Sequence, residues 1–492
     1  MPVPSATADW IVVLPVIMSL TGAALLLVLR HHRALQAWVG LLDLLAIVVL
    51  DWKLVERVVR EGPVTMTMGN WPPPFGISFS ADALGAGFAL VAAVVSVGVW
   101  LSPVMQGPSR SGGGAAPLLL LVVAGVSGAV LTGDIFNLYV WFELMLIAAW
   151  GLFALGGGPV ELDGAIKYGI TNLIGTVLLL SGIGLFYGLV GTLNMADIVS
   201  AASHVDQPTL SAIVALIVFA LMIKAAVFPV GFWLGASYHT PAPPISAIVG
   251  ALLTKVGVYA LLRLLLLLVP DIGSALAVPL SAAAGVTMVL GPLAAIAETN
   301  ARRAIGFLLV GGVGVCLICF AAVNLATAAG AIVYMLHSAL TIGALYLTSG
   351  VLEGPDSGSA PQVVTGRPSP FVSSMFFVLL LAIVGLPPFL GFWPKLLLVQ
   401  GFIGEQNWIP VFLLLANSLL SLVAAIRMWS RLIWRADSST RSDRRRTPGA
   451  IVLTAAVLLM SLLPGPLIDL GLSAAKGLLG PASYLRSVGV GQ

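Results

Sequence analysis

The sequence predicts an all-α, polytopic membrane protein of about 14 transmembrane helices, with no sizeable soluble domain. Three observations carry this. Of the 492 residues, 59% are hydrophobic and only 9% are charged, where a soluble domain has ~25% charged residues. Apolar runs of the ~20 residues needed to cross a bilayer recur along the chain. Two runs are interrupted by proline and glycine beside a lysine, KAAVFPVGFWL (224–234) and GLPPFLGFWPKLLL (385–398). A mid-span proline removes a backbone hydrogen bond and breaks or kinks the helix, and broken membrane helices beside charge mark ion pathways.

Taken in order, the spans fall at approximately 10–29, 35–56, 80–101, 116–133, 135–156, 164–190, 209–235, 244–269, 275–297, 303–323, 327–351, 371–402, 408–434 and 450–470. Only Thr132, Gly133 and Asp134 separate the fourth from the fifth. The N-terminus lacks the positive n-region of a signal peptide, so the first span is expected to be retained. Residues 61–79 form the longest loop on their side, and the alternating VTMTM within them suggests a short strand that pairs with nearby chain. The Gly-, Ser- and Pro-rich stretch 352–370 reads as a flexible connection. The run RSDRRR (441–446) reads as a solvated loop rather than a nucleic-acid site. Cys316 and Cys319 have CxxC spacing, but in an apolar run with no other cysteine they read as small buried residues.

Orientation follows from lysine and arginine. Of the 23, thirteen fall after odd-numbered spans: Arg30, Arg33, Arg110, Lys167, Arg302, Arg303, Arg367, Arg431, Arg435, Arg441, Arg444, Arg445 and Arg446. Six fall on the side of the termini: Lys53, Arg57, Arg60, Arg263, Lys476 and Arg486. The richer side is cytoplasmic, which places both termini outside. The remaining four, Lys224, Lys255, Lys395 and Arg427, lie within spans.

Charge at membrane depth costs ~2.5–3.5 kcal/mol on insertion scales and points to function. Lys224 and Lys255 sit in neighbouring spans, Lys224 five residues before Pro229. Lys395 follows Pro387 and Pro388. The lysine precedes its break in one span and follows it in the other, which fits an inverted repeat. Glu143 lies nine residues beyond Asp134, roughly 13 Å along a helix, and beside a lysine it can ionise and relay a proton; the alternative is a neutral carboxyl bonded between helices. His337, whose unperturbed side chain titrates near pH ~6.5, suits a carrier between the lysines or a structural bond to nearby backbone. Asp134 stands at the outer end of span 5 and Lys167 at the cytoplasmic start of span 6, as a proton inlet or support; Lys167 equally suits a positive anchor. Arg427 is placed to snorkel. No phosphate-binding glycine loop or dinucleotide fingerprint is found, nor Cys/His spacing for zinc, iron–sulfur or haem. Catalysis, metals and cofactors are therefore not expected of the chain itself, and energy must come from an ion gradient or partner subunits.

These motifs resemble the antiporter-like subunits shared by respiratory complex I and the Mrp-type cation/proton antiporters. The stretches that carry the likeness are TGDIFNLYVWFELMLIAAWGLFALGG (132–157), AIKYGITNLIG (165–175), KAAVFPVGFWL (224–234), PISAIVGALLTKVGVYALLR (244–263), ETNARRAIGF (298–307) and GLPPFLGFWPKLLL (385–398). Together they look most like the D-type member of the Mrp antiporters. The resemblance implies 14 helices, broken helices 7 and 12, termini outside, and inverted repeats over spans 4–8 and 9–13. That gives spans 1–3 in 1–115, the repeats in 116–270 and 271–434, and a loop, last span and outer tail in 435–492. It implies proton-translocating roles for Glu143, Lys224, Lys255, His337 and Lys395. Two departures stand out: Gly231 and Gly235 replace a His and a Pro that many relatives carry, and Thr341 stands where many have a second basic residue. The expected function is a proton-translocating subunit of a multisubunit Na⁺/H⁺ antiporter in a bacterial or archaeal-type plasma membrane. Its expected partners are other membrane subunits, protons, Na⁺ and the lipid bilayer, with no nucleic acid. The alternatives are a pumping subunit of an NADH–quinone oxidoreductase or membrane-bound hydrogenase, and a structural subunit that does not conduct.

Overall fold

The structure is a computed structural model that describes residues 9–71, 76–102, 114–353, 369–434 and 447–488. Most of the 352–370 connection, the RSDRRR run and Arg110, Arg367 and Arg435 lie outside the described residues. Helices α1 (Leu14–Val28) and α2 (Arg33–Glu61) are followed by strand β1 (Val64–Thr67) and strand β2 (Ser78–Ala81), which pair antiparallel. The strand expected in VTMTM therefore forms. Then come α3 (Ala83–Trp100), α4 (Ala115–Leu131), α5 (Ile135–Ala154), α6 (Pro159–Val190), α7 (Gln207–Ala225), α8 (Phe232–Ser237) and α9 (Pro243–Arg263). The second stretch has α10 (Ala277–Ala297), α11 (Ala301–Leu317), α12 (Leu325–Glu353), α13 (Pro370–Val384), α14 (Phe392–Gly404) and α15 (Trp408–Trp429). Last are α16 (Pro448–Leu462), α17 (Gly465–Leu479) and α18 (Ala482–Val488).

Side-chain caps fix several starts. Asp82 accepts from Gly85 N at 2.8 Å, Asp134 from Asn137 N at 2.8 Å, and Asn300 from Arg303 N at 3.1 Å. Each satisfies a backbone N–H that the first turn leaves open.

Among the described residues, eleven helices are long and apolar enough to cross a membrane, or twelve if the bent pair α16–α17 counts as one span. This is fewer than the fourteen expected. Two further expected spans coincide with shorter apolar helices, α4 and α13; α13 is short because its span is cut at the break. The last expected span, 450–470, falls on that bent pair. Its helix stops at Leu462 and turns by 82° into α17, with Pro464 at the turn, where no N–H is available to continue the ladder.

Both expected interruptions are present. α7 ends at Ala226 in the left-handed region (φ 61°) and α13 ends at Gly385 (φ 83°). The Phe228–Pro229 and Pro387–Pro388 peptide bonds are cis. The chain resumes helically at Phe232 and Phe392. The departure at Gly231 has a local cause, since a Cβ there would stand 2.1 Å from Ala226 O. A Cβ on Gly235 would meet the Phe307 ring at 2.4 Å, so both positions are closed to larger residues by their own neighbours.

α12 is the centre of the molecule. Its membrane window is wholly buried, and α3, α9, α11, α13, α14, α16 and α17 pack against it. α1, α2, α6 and α15 lie at the periphery and present apolar side chains outward, among them Trp38, Trp52, Ile170 and Leu415. The first and last described segments meet on one face. There Arg57 pairs with Asp9 at 2.9 Å and Thr65 Oγ1 donates to Ser487 O.

Candidate functional site

The three intramembrane lysines are all buried, at 5% (Lys224), 2% (Lys255) and 7% (Lys395) exposure. Lys224, in the last turn of α7, donates to Thr176 Oγ1 of α6 at 2.8 Å. Its ammonium also sits 5.0 Å from the centre of the Phe142 ring, a cation–π distance. A small cavity adjoins it, in which the centre of a water has about 10 Å³, enough for roughly one molecule. Glu143, next to Phe142 on α5, is within electrostatic range of Lys224 and Tyr168, and its buried Oε1 has no hydrogen-bond partner in the protein. Glu143 and Lys224 make no direct hydrogen bond: α6 packs against both α5 and α7, and its Thr176 Oγ1 accepts from the lysine.

Lys255 lies midway along α9 and donates to Gly250 O at 2.8 Å, one turn back on its own helix. His337 on α12 is fully buried and within electrostatic range of both Lys255 and Lys395. Its Nδ1 is 3.1 Å from Thr341 Oγ1, and its Nε2 has no partner in the protein. Nε2 faces the second break, because a Cβ on Gly391 would stand 2.9 Å from it. Thr341, which replaces a basic residue of many relatives, is therefore bonded to the histidine itself. Beyond the break, Lys395 at the start of α14 donates to Val384 O at 2.9 Å, Ser418 Oγ at 2.8 Å and Asn417 Oδ1 at 3.3 Å. Val384 O is available because α13 ends there and leaves its last carbonyls open. Glu143 and Lys224 at the first break, and Lys255, His337 and Lys395 toward the second, thus form two electrostatically linked groups, a row with α7 packed on α9 at its middle.

The other expected residues do different work. Asp134 caps α5. Lys167 is exposed and paired with Asp163 at 2.5 Å. Arg427 is exposed in the last turn of α15. Cys316 and Cys319 are buried and unpaired, Cys316 near Lys255.

Several charged residues were not singled out from sequence. Arg263, counted there as an anchor on the side of the termini, is buried and clamped in two bonds by Asp82, at 2.6 and 3.0 Å. Tyr259 Oη accepts from it at 2.7 Å, and Tyr484 lies under its guanidinium at 5.7 Å. Arg302 pairs with buried Glu353 at 3.0 Å. Asp51 of α2 is fully buried, and neither carboxylate oxygen has a hydrogen-bond partner in the protein; the rule that selects Glu143 applies to it equally.

Comparison with known proteins is decisive for the family. Residues 132–421 match the family described as NADH:quinone oxidoreductase/Mrp antiporter, TM. The chain belongs to this family. The D subunit of the Na⁺/H⁺ antiporter of Bacillus subtilis is 32% identical, over 97% of this chain and 99% of the relative. The D subunit of a probable K⁺/H⁺ antiporter of Rhizobium meliloti is 29% identical over 98% and 97%. Among solved structures, a chain of the Mrp complex from Dietzia aligns with TM-score 0.90 at 25% identity, covering 98% of this chain and 99% of that one. A chain of the archaeal membrane-bound sulfane sulfur reductase aligns equally well, at 27% identity, 98% and 100% coverage and TM-score 0.90. The likeness to Thermus thermophilus complex I, 22% identical over 95% and 100% with TM-score 0.82, is one of fold. As a member of this antiporter family, the chain is a multi-pass membrane protein, and Lys224 and Lys395 of the row sit at its two interrupted spans.

Proposed function

We propose that this chain is the proton-translocating D-type subunit of a multisubunit Mrp Na⁺/H⁺ antiporter, with protons moving along Glu143, Lys224, Lys255, His337 and Lys395. The observation that carries the reading is the row itself: three buried ammonium-bearing side chains and a histidine, strung between two interrupted helices. A buried charge is costly unless it is compensated, and Lys224 and Lys255 each have a single hydrogen-bond acceptor in the protein. The name of the Bacillus subtilis relative supports Na⁺ as the exchanged cation and other membrane subunits as partners. Residues 116–270 and 271–434 act as paired halves. The arginine-rich face is cytoplasmic, in a plasma membrane, with both termini outside.

Inverted membrane vesicles holding the assembled complex test this. Lys224→Ala is expected to assemble and to lose cation-dependent proton movement. Wild-type exchange in the assembled variant would refute the reading. A second reading, a pumping subunit of a redox complex, is favoured by the close fit to the sulfane sulfur reductase chain. The neighbouring reading frames separate the two: small hydrophobic antiporter subunits support the first, and quinone- or flavin-binding subunits support the second.

A further inference from the structure

The row has no described route to either face, yet one end of the molecule carries a cluster of unused buried polar groups. Tyr238 and Tyr346 are both fully buried, and neither hydroxyl has a hydrogen-bond partner in the protein. His239 is half-buried, and its Nδ1 is also without one. An unbonded buried hydroxyl is costly and rare, and here two such hydroxyls and an imidazole nitrogen share one corner, on the face opposite the termini.

Their placement is specific. Tyr238 and His239 lie in the linker between α8 and α9. Two arginines of α11 hold that linker on either side: Arg303 Nε donates to Gly235 O at 3.1 Å, and Arg302 donates to Pro241 O at 2.6 Å. Tyr346 on α12 places its hydroxyl against α11 and α8. A Cβ on Gly306 would meet Tyr346 Oη at 3.2 Å and the Leu234 side chain at 3.3 Å. Gly306 is one turn beyond Arg302, and Leu234 is one turn before Tyr238. On its inner side Tyr238 lines the small cavity that holds Lys224, together with Tyr168 and Trp233. The Tyr238 ring centre is 5.6 Å from that of Trp233 and 6.3 Å from that of Tyr168. The charged groups at the mouth are Arg302 with Glu353, Arg303 with Glu298 at 3.3 Å, and Lys167.

We propose that protons enter the row through an inlet formed by His239, Tyr346 and Tyr238, which opens into the cavity beside Lys224. The inlet rests on the proton-translocating reading above. Each group both donates and accepts, so each can take a proton on one side as it releases one on the other. Intervening water joins the hydroxyls. Burial, with Arg303 and Arg302 beside it, pushes His239 down to about 4, so the imidazole is neutral at ordinary pH and passes a proton without holding charge. Both guanidinium groups at the mouth are paired with carboxylates, Arg302 with Glu353 and Arg303 with Glu298, and the inlet serves protons.

The test uses the assembled antiporter in inverted vesicles, with Tyr238→Phe, Tyr346→Phe and the double variant. Each single change should slow exchange about a hundredfold, the lower end of what a positioned proton donor or acceptor contributes. The cation concentration for half-maximal rate should not change, and the solvent deuterium isotope effect should rise. The double variant should be no slower than the slower single one, because the groups act in series. His239→Ala should be slowed and partly restored by added imidazole. Since neither hydroxyl is bonded, their removal should leave assembly unchanged or improved. A loss of assembly, a wild-type rate in both tyrosine variants, or multiplied effects in the double variant would each overturn the inlet. Lys224→Ala, run alongside, separates the levels: if it is inactive while the tyrosine variants match wild type, only the inlet fails.

Discussion

The two interrupted spans treat their lysines differently. Each interruption follows a residue in the left-handed region, contains a cis proline and resumes as a helix that starts with phenylalanine. At the first, Lys224 has one hydrogen-bond acceptor, Thr176, plus the face of Phe142 and a carboxylate within electrostatic range. At the second, Lys395 has three oxygen acceptors, the number of protons it can donate. Asn417 is itself anchored by donating to Met288 O at 2.8 Å. The first lysine is held loosely and is open to control by Glu143. The second is held by fixed dipoles. Similar backbone devices therefore give a responsive site at one end of the row and a retentive one at the other.

The largest effect that tests this contrast is expected from Glu143→Gln. It should abolish most exchange, as Lys224→Ala does, and the double variant should be far less than additive, because the residues act as a unit. Fully additive losses in assembled complexes would separate the carboxylate from the lysine. Thr176→Val should come next. It removes the single acceptor of a charged donor, an interaction of ~1.5–3 kcal/mol, so exchange in vesicles should fall about tenfold or more. Ser418→Ala should be the mildest, within a factor of about three, since two acceptors remain around Lys395 and a typical net hydrogen bond is worth ~1 kcal/mol or less when replaced. If Ser418→Ala proves as damaging as Thr176→Val, the two ends of the row are equivalent and the contrast is lost.

Much of this was legible in the sequence, for a physical reason. Lys224, Lys255, Lys395 and Glu143 stand out because charge in an apolar run has no cheap explanation, and the breaks stand out because proline cannot complete a helix ladder. The partners were not legible. Thr176 and Ser418 look like ordinary polar residues of apolar helices, and only packing reveals which face a lysine. Arg263 closes GALLTKVGVYALLR and reads as a positive anchor. Its partner, Asp82, lies far away in the sequence, and only the fold joins them. Tyr238 and His239 read as residues of a polar connection, because burial of that connection depends on Arg302 and Arg303 of another helix. Asp51 carried the same signal as Glu143. The 82° turn after Leu462 was foreshadowed by Pro464, but an apolar stretch that continues past a proline does not say which way it turns.

The clamp around Arg263 also bears on how the chain is made. Its guanidinium is shielded by Asp82 and Tyr259, both synthesised before it, and by Tyr484 of α18, synthesised long after. Until α18 arrives, one side of the ion pair lies open at the face of the termini. A half-satisfied buried charge destabilises whatever encloses it, so the nascent protein carries a mark of incompleteness at that face. Docking of α18 erases the mark by laying Tyr484 under the guanidinium.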